Sequence, residues 1–187
     1  MHSDNWAIKA KQMGYRSRAV FKLEEILNKI NFKKSPNNVL DIGSAPGGWS
    51  QYIIKNFPKS KVYAVDILEM KPIEGVFFFK KSIEEIDSIA PIKNLKRKFN
   101  LVISDIAPNL SGIDAVDSEN IYILNKLSLK IANDYLNTDG LMVMKTFQNN
   151  MLKSLRKDIE LSFKIVQTYK PAASKKQSGE IYLFGAK

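Results

Sequence analysis

The chain has 187 residues, 44% hydrophobic and 26% charged, which suits one α/β core and leaves no apolar run near the roughly 18 residues that span a bilayer. Cysteine is absent and the single histidine, His2, reads as a cloning remnant, which argues against disulfide frameworks, thiol nucleophiles, His-based triads and His-ligated metals. A formal net charge of +10 speaks to partners, with nucleic acid first and the lysine-rich drift of an AT-rich genome as the plain alternative.

The N-terminal stretch "MHSDNWAIKAKQ" lacks the apolar segment of a secretory signal. A cytoplasmic protein is expected, or a mitochondrial or plastid one wherever a targeting segment has been removed. A basic run at 9–18 leads into "RAVFKLEEILNKI", where Val20, Leu23, Ile26, Leu27 and Ile30 recur at helical spacing and predict a helix with one face on the core. Apolar or β-branched runs at 39–42, 61–65, 76–79, 101–104 and 141–144 predict strands. Helical patterns at about 49–56, 118–136 and 151–161 separate some of them. The tail breaks this alternation, because "FKIVQTYKP" and "EIYLFGAK" follow one another like a closing hairpin around a second basic run at 170–176. The expected fold is α/β, a seven-stranded, mostly parallel sheet with an antiparallel last strand and helices on both faces.

In "VLDIGSAPGGWSQYI" an apolar strand breaks into Gly43, Ser44, Ala45, Pro46, Gly47 and Gly48 before a helix begins. A loop so short of side chains lets something lie against its backbone, and open α/β sheets bind ligands beyond the carboxyl ends of their strands. Asp66 ends "KVYAVD" about 20 residues further on, where an acid accepts hydrogen bonds from both ribose hydroxyls of a nucleoside. The spelling G-S-A-P-G-G is neither the dinucleotide fingerprint nor a phosphate loop, since Ala45 replaces the second glycine and no Lys-Ser/Thr follows. S-adenosylmethionine is therefore the expected cofactor, held by Gly43, Ala45, Pro46, Gly47, Gly48 and Asp66. The plain alternative is that the glycines merely make a tight strand-to-helix turn.

Methyl transfer needs an aligned acceptor, and a hydroxyl acceptor must lose a proton, which without a usable histidine falls to Lys, Asp, Glu or Tyr. Four polar residues interrupt apolar patterns at the right places. Asp105 follows the fourth strand, Lys145 ends a nearly all-apolar strand, Glu180 heads the last strand, and Lys22 lies beside the apolar stripe of the first helix. Taken singly, Lys22 reads as a snorkelling lysine, Glu180 as a solvated strand end and Asp105 as a turn cap. Lys145 resists such a reading, because a charge in that apolar setting is costly unless used or paired.

Together these segments resemble the FtsJ (RrmJ-like) family of ribosomal RNA ribose 2′-O-methyltransferases. "GYRSRAVFKLEEI", "VLDIGSAPGGWSQYI", "AVDILEMKPIEGV", "SDIAPNLSG", "VMKTFQ" and "SGEIYLF" occur in family order over nearly the whole chain. The resemblance implies a Rossmann-like S-adenosylmethionine-dependent methyltransferase fold and a Lys-Asp-Lys-Glu tetrad at Lys22, Asp105, Lys145 and Glu180. Lys145 is then the principal base or hydroxyl-orienting group, and the other three tune its charge and place the ribose. It also implies cofactor contacts at Gly47, Trp49, Asp66 and Asp105, with Trp49 as a purely structural anchor the alternative.

Two stretches depart from the family pattern. Lys81, Ser82 and Ile83 stand where Gly-Asp-Phe is common, leaving Ser82 to meet the adenine edge, and "SKKQSGE" carries lysines where arginines are usual. The expected partner is RNA, ribosomal RNA or the assembled large subunit, with uridine as the target nucleoside. Lys9, Lys11, Arg16 and Arg18 on one side of the site, and Lys175 and Lys176 on the other, would grip its phosphates. No metal and no membrane contact are expected, and a monomer is. One domain is expected over 1–187, a basic RNA-binding extension with its helix at 1–34 and a catalytic core at 35–187. The alternatives are a transfer-RNA or mRNA-cap ribose methyltransferase and a non-catalytic RNA-binding domain. An amine methyltransferase is disfavoured because "SDIAPN" lacks the Asn/Asp-Pro-Pro-aromatic pattern, and a nicotinamide oxidoreductase by the loop spelling.

Overall fold

The computed structural model describes residues 4–175 and 177–187. Five strands, β1 (Asn38–Ile42), β2 (Lys61–Asp66), β3 (Val76–Lys80), β4 (Phe99–Ser104) and β5 (Leu136–Phe147), run parallel. The tail forms β6 (Ile165–Tyr169) and β7 (Glu180–Ala186), and β7 lies antiparallel between β5 and β6. The order β3-β2-β1-β4-β5-β7-β6 is the expected seven-stranded sheet with one reversed last strand.

The helices are α1 (Asn5–Gln12), α2 (Val20–Lys29), α3 (Gly48–Asn56), α4 (Ala90–Lys93), α5 (Asp114–Tyr135) and α6 (Leu152–Glu160). α2, α3, α5 and α6 fall where periodicity predicts them. α1 was not expected, because its stripe is weak: only Ala10 is buried, and Asp4 caps it by accepting from the Ala7 N–H at 3.2 Å. A 3-10 helix at Ile83–Ser88, together with α4, fills the connection between β3 and β4.

Side chains alternate across the strands, so each strand feeds two cores. Val39, Leu101, Ile103, Val143, Tyr182 and Phe184 pack against α2 and α3, through residues such as Leu23, Ile26, Trp49 and Ile53. Leu40, Ile42, Val102, Met142, Met144 and Leu183 pack against α5 and α6, through Leu129, Ala132, Leu155 and Ile159. The chain winds outward from β1 in both directions, so the carboxyl ends of β1 and β4, with Ile42 beside Ser104, border the switch point where a ligand crevice forms. Among the described residues no helix is long and apolar enough to cross a membrane.

Candidate active site

The same alternation builds the reactive cluster. Lys145 continues the face of Val143, Asp105 that of Ile103, and Glu180 that of Tyr182, so all three point to the side on which α2 lies. α2 delivers Lys22, which is buried at 6% exposure and ion-paired to Glu180 at 2.7 Å. Lys145 Nζ sits 3.2 Å from Asp105 Oδ1 and also donates to the Asp105 carbonyl. The four residues picked from sequence thus meet as two ion pairs.

A fifth residue joins the pairs and was missed. Tyr182, opposite Lys145 in the β5–β7 register, donates its hydroxyl to Asp105 Oδ1 at 2.9 Å, and Lys22 Nζ lies 5.8 Å from its ring centroid. Burial and the carboxylates of Asp105 and Glu180 push its phenol far above the usual range, so it is a fixed donor. The signal was available in "EIYLF", where Tyr182 stands two residues after Glu180 and so shares its face. Burial opposes the charge on Glu180, yet Lys22, the Ser174 hydroxyl at 2.8 Å and Lys145 hold its carboxyl below the usual range.

Beside this cluster a cleft of about 550 Å³ opens over the ends of β1, β2 and β4. Gly43, Ala45, Asp66, Ser82 and Asp105 line it, and Ile67, Leu68, Ile106, Pro108 and Leu124 supply apolar walls. Asp66 is held by the Ala45 and Leu68 N–H groups, each at 2.8 Å. The Ser82 hydroxyl caps the 3-10 helix by accepting from the Glu84 N–H at 3.3 Å. A recess of about 20 Å³ lies between Asp41, Ser44, Pro46, Gly48, Trp49 and Asp105. Gly47 borders neither space; its φ of 103° starts α3. Trp49 reaches the recess but is also an anchor, 3% exposed, donating to the Ala19 carbonyl at 2.8 Å.

Asp41 is the second residue that sequence reasoning passed over. It interrupts the apolar β1 and is fully buried, with Ser50 donating to Oδ2 at 2.6 Å. Its Oδ1 and the buried Ser44 hydroxyl have no hydrogen-bond partner among the described residues. Burial, with Asp105 and Asp66 adding repulsion, pushes its carboxyl up to about 7. Asp66 and Asp105 on the cleft, two orphaned polar atoms beside the recess and a glycine cradle fit a nucleoside cofactor such as S-adenosylmethionine.

The glycines also answer to the protein itself. A Cβ on Gly43, where φ is 70°, would come within 2.6 Å of Ile106, and one on Gly48 within 2.4 Å of the Ser17 hydroxyl. The tight-turn alternative and the ligand reading therefore both apply to this loop.

The expected phosphate-gripping residues separate. Lys9, Lys11 and Lys175 are exposed, with Lys9 over the rings of Trp6 and Phe21. Arg18 pairs with Asp4 at 2.6 Å, and the Arg16 guanidinium is engaged by main-chain carbonyls. Lys176 lies outside the described residues.

The sequence model of the FtsJ-like methyltransferase family matches residues 15–187. A ribosomal RNA large subunit methyltransferase E of Vesicomyosocius okutanii is 42% identical over 99% of this chain and 90% of its own. The protein so named in Francisella tularensis subsp. novicida is 42% identical over 97% of this chain and 89% of its own. A crystal structure described as a ribosomal RNA methyltransferase of Plasmodium falciparum superposes with a TM-score of 0.80 at 30% identity, covering 92% of this chain and 97% of that one. A Burkholderia thailandensis 1,6-didemethyltoxoflavin-N1-methyltransferase holding S-adenosylhomocysteine has a TM-score of 0.64 at 16% identity over 98% of this chain and 84% of that one, a likeness of fold alone. By the extent of these matches and the motifs that carry them, the chain belongs to the FtsJ-like methyltransferase family.

Proposed function

We propose that the chain is an S-adenosylmethionine-dependent methyltransferase acting on the 2′-hydroxyl of a ribose in large-subunit ribosomal RNA, with uridine as the target nucleoside. The observation that carries this reading is the cluster of Lys22–Glu180 and Lys145–Asp105, joined through Tyr182 at the edge of the cleft. The names of the relatives supply the RNA class.

When bound, the cofactor supplies an electrophilic methyl group on a sulfonium. Gly43, Ala45 and Asp66 would hold its nucleoside, Ser82 its adenine edge, and Asp41 with Ser44 its cationic methionyl end. Because Lys145 stands as one half of an ion pair, its ammonium orients the ribose hydroxyl and steadies the charge that grows on O2′. Asp105, fixed by Lys145 and the Tyr182 hydroxyl, is placed to take the proton that leaves O2′. The Lys22–Glu180 pair, tied to the β6–β7 connection by Ser174, holds the ribose side of the cluster. Lys22, Asp105, Lys145, Glu180 and Tyr182 all come from one chain, in keeping with a monomer. Lys9, Lys11 and Lys175 provide exposed positive charge for phosphates.

The test is incubation with radiolabelled S-adenosylmethionine and ribosomal RNA or large subunits, beside Lys145→Ala. Label in the wild type alone, on an alkali-resistant dinucleotide, is the expected result. Alkali-sensitive label, or equal label in both proteins, overturns the assignment.

A further inference from the structure

Arg16 stands in the basic run that leads toward the site, yet its charge is turned inward. Its Nη1 donates to the carbonyls of Pro46, at 3.3 Å, and Lys71, at 2.5 Å, and its Nη2 to that of Pro72, at 2.7 Å. Pro46 belongs to the glycine loop on one side of the crevice. Lys71 and Pro72 belong to the β2–β3 connection, whose first residues, Ile67 and Leu68, line the cleft opposite together with Asp66 at the end of β2. One planar guanidinium therefore ties together two loops that no strand ladder joins at this point.

The neighbouring contacts keep the arginine there. Its own N–H donates to Gln51 Oε1 at 3.0 Å, while Gln51 Nε2 donates to the Gly14 carbonyl at 2.8 Å. Ser17 packs so closely on Gly48 that a Cβ there would lie 2.4 Å from its hydroxyl. A Cβ on Gly47 would meet Ile73 at 2.7 Å, Met70 at 2.9 Å and Arg16 Nη1 at 3.4 Å. The two loops are packed to contact around the guanidinium.

We infer that Arg16 is a positioning residue that clasps the glycine loop to the β2–β3 connection and so sets cofactor affinity, rather than a ligand of RNA phosphate. The inference rests on the cofactor reading above. It separates charge from shape, and Arg16→Lys separates them too, because an ammonium answers a phosphate as a point charge but lacks the planar fork with which the guanidinium reaches Pro46, Lys71 and Pro72 together.

Calorimetric titration with S-adenosylhomocysteine, and filter binding of ribosomal RNA without cofactor over a salt series, would be run on wild type, Arg16→Lys and Arg16→Gln. The expected result is a rise of about tenfold in Kd for S-adenosylhomocysteine in both variants, with RNA affinity within about twofold of wild type and an unchanged salt slope. In turnover, KM for S-adenosylmethionine should rise at least fivefold more than kcat falls. Wild-type cofactor affinity in Arg16→Lys overturns the inference. So does a salt slope shallower by about one in Arg16→Gln, the mark of a lost phosphate contact.

If the arginine variants fail to fold, Gly48→Ala tests the other half of the clasp without touching charge. It should weaken S-adenosylhomocysteine, and the added Ser17→Ala should restore it, because Ser17 Cβ stands an ordinary 3.5 Å away. Absence of rescue overturns the inference. A wild type that binds no S-adenosylhomocysteine overturns the cofactor reading itself.

Discussion

Replacing Asp41 with asparagine should change how the stability of this protein depends on pH. Asp41 is fully buried, and burial, reinforced by Asp105 and Asp66, raises its carboxyl from 3.8 to about 7. That displacement corresponds to about 4 kcal/mol of native preference for the neutral form. The native state holds this proton where the unfolded chain has released it, so stability is full below pH 4 and is lost as pH rises toward 7. Between pH 6 and pH 8 the residue should cost about 1.4 kcal/mol further. Asparagine is neutral throughout and keeps an oxygen for the Ser50 hydroxyl, so its contribution is flat. Urea denaturation of both proteins at pH 6, 7 and 8 gives the difference directly and cancels all other titrating groups. The stability of wild type relative to Asp41→Asn should fall by about 1.4 kcal/mol across that range. A flat difference refutes the reasoning, because it means that Asp41 is charged and satisfied in the native state.

Tyr182→Phe keeps the ring packing and removes one hydrogen bond to a charged acceptor, a loss of about 1.5–3 kcal/mol of stability, so the melting temperature should fall by roughly 3–12 °C, and kcat/KM should fall as well because Asp105 loses a donor that fixes it. An unchanged kcat/KM would remove Tyr182 from the cluster. Gly43→Ala must place a Cβ 2.6 Å from Ile106 at a φ of 70°, which adds a left-handed penalty of about 1–2 kcal/mol to the displacement of the segment that carries Asp105. Thermal melting should drop by roughly 4–8 °C and turnover should fall with it; an unchanged melting point would mean that the loop yields freely.

The alternation of strand and helix segments, and a tail in which two strand-like runs meet without a helix between them, determined the fold class and the reversed last strand. Both signals are local to the chain, so they need no partner. The motif order determined the family. What no spacing reveals is distance between elements. Only the packing of α2 on the sheet turns Lys22 from a surface lysine into the buried partner of Glu180, and only the β5–β7 register sets Tyr182 opposite Lys145. Arg16 looks like a phosphate ligand in sequence because charge is all that a sequence states. Its three carbonyl partners come from loops 30, 55 and 56 residues away, and long-range packing alone decides where a guanidinium points. The glycine loop divides in the same way. Its spelling announced that something lies close to the backbone, while the tertiary structure decided that Ile106, Ser17, Met70 and Ile73 fill part of that space and leave the remainder for a ligand.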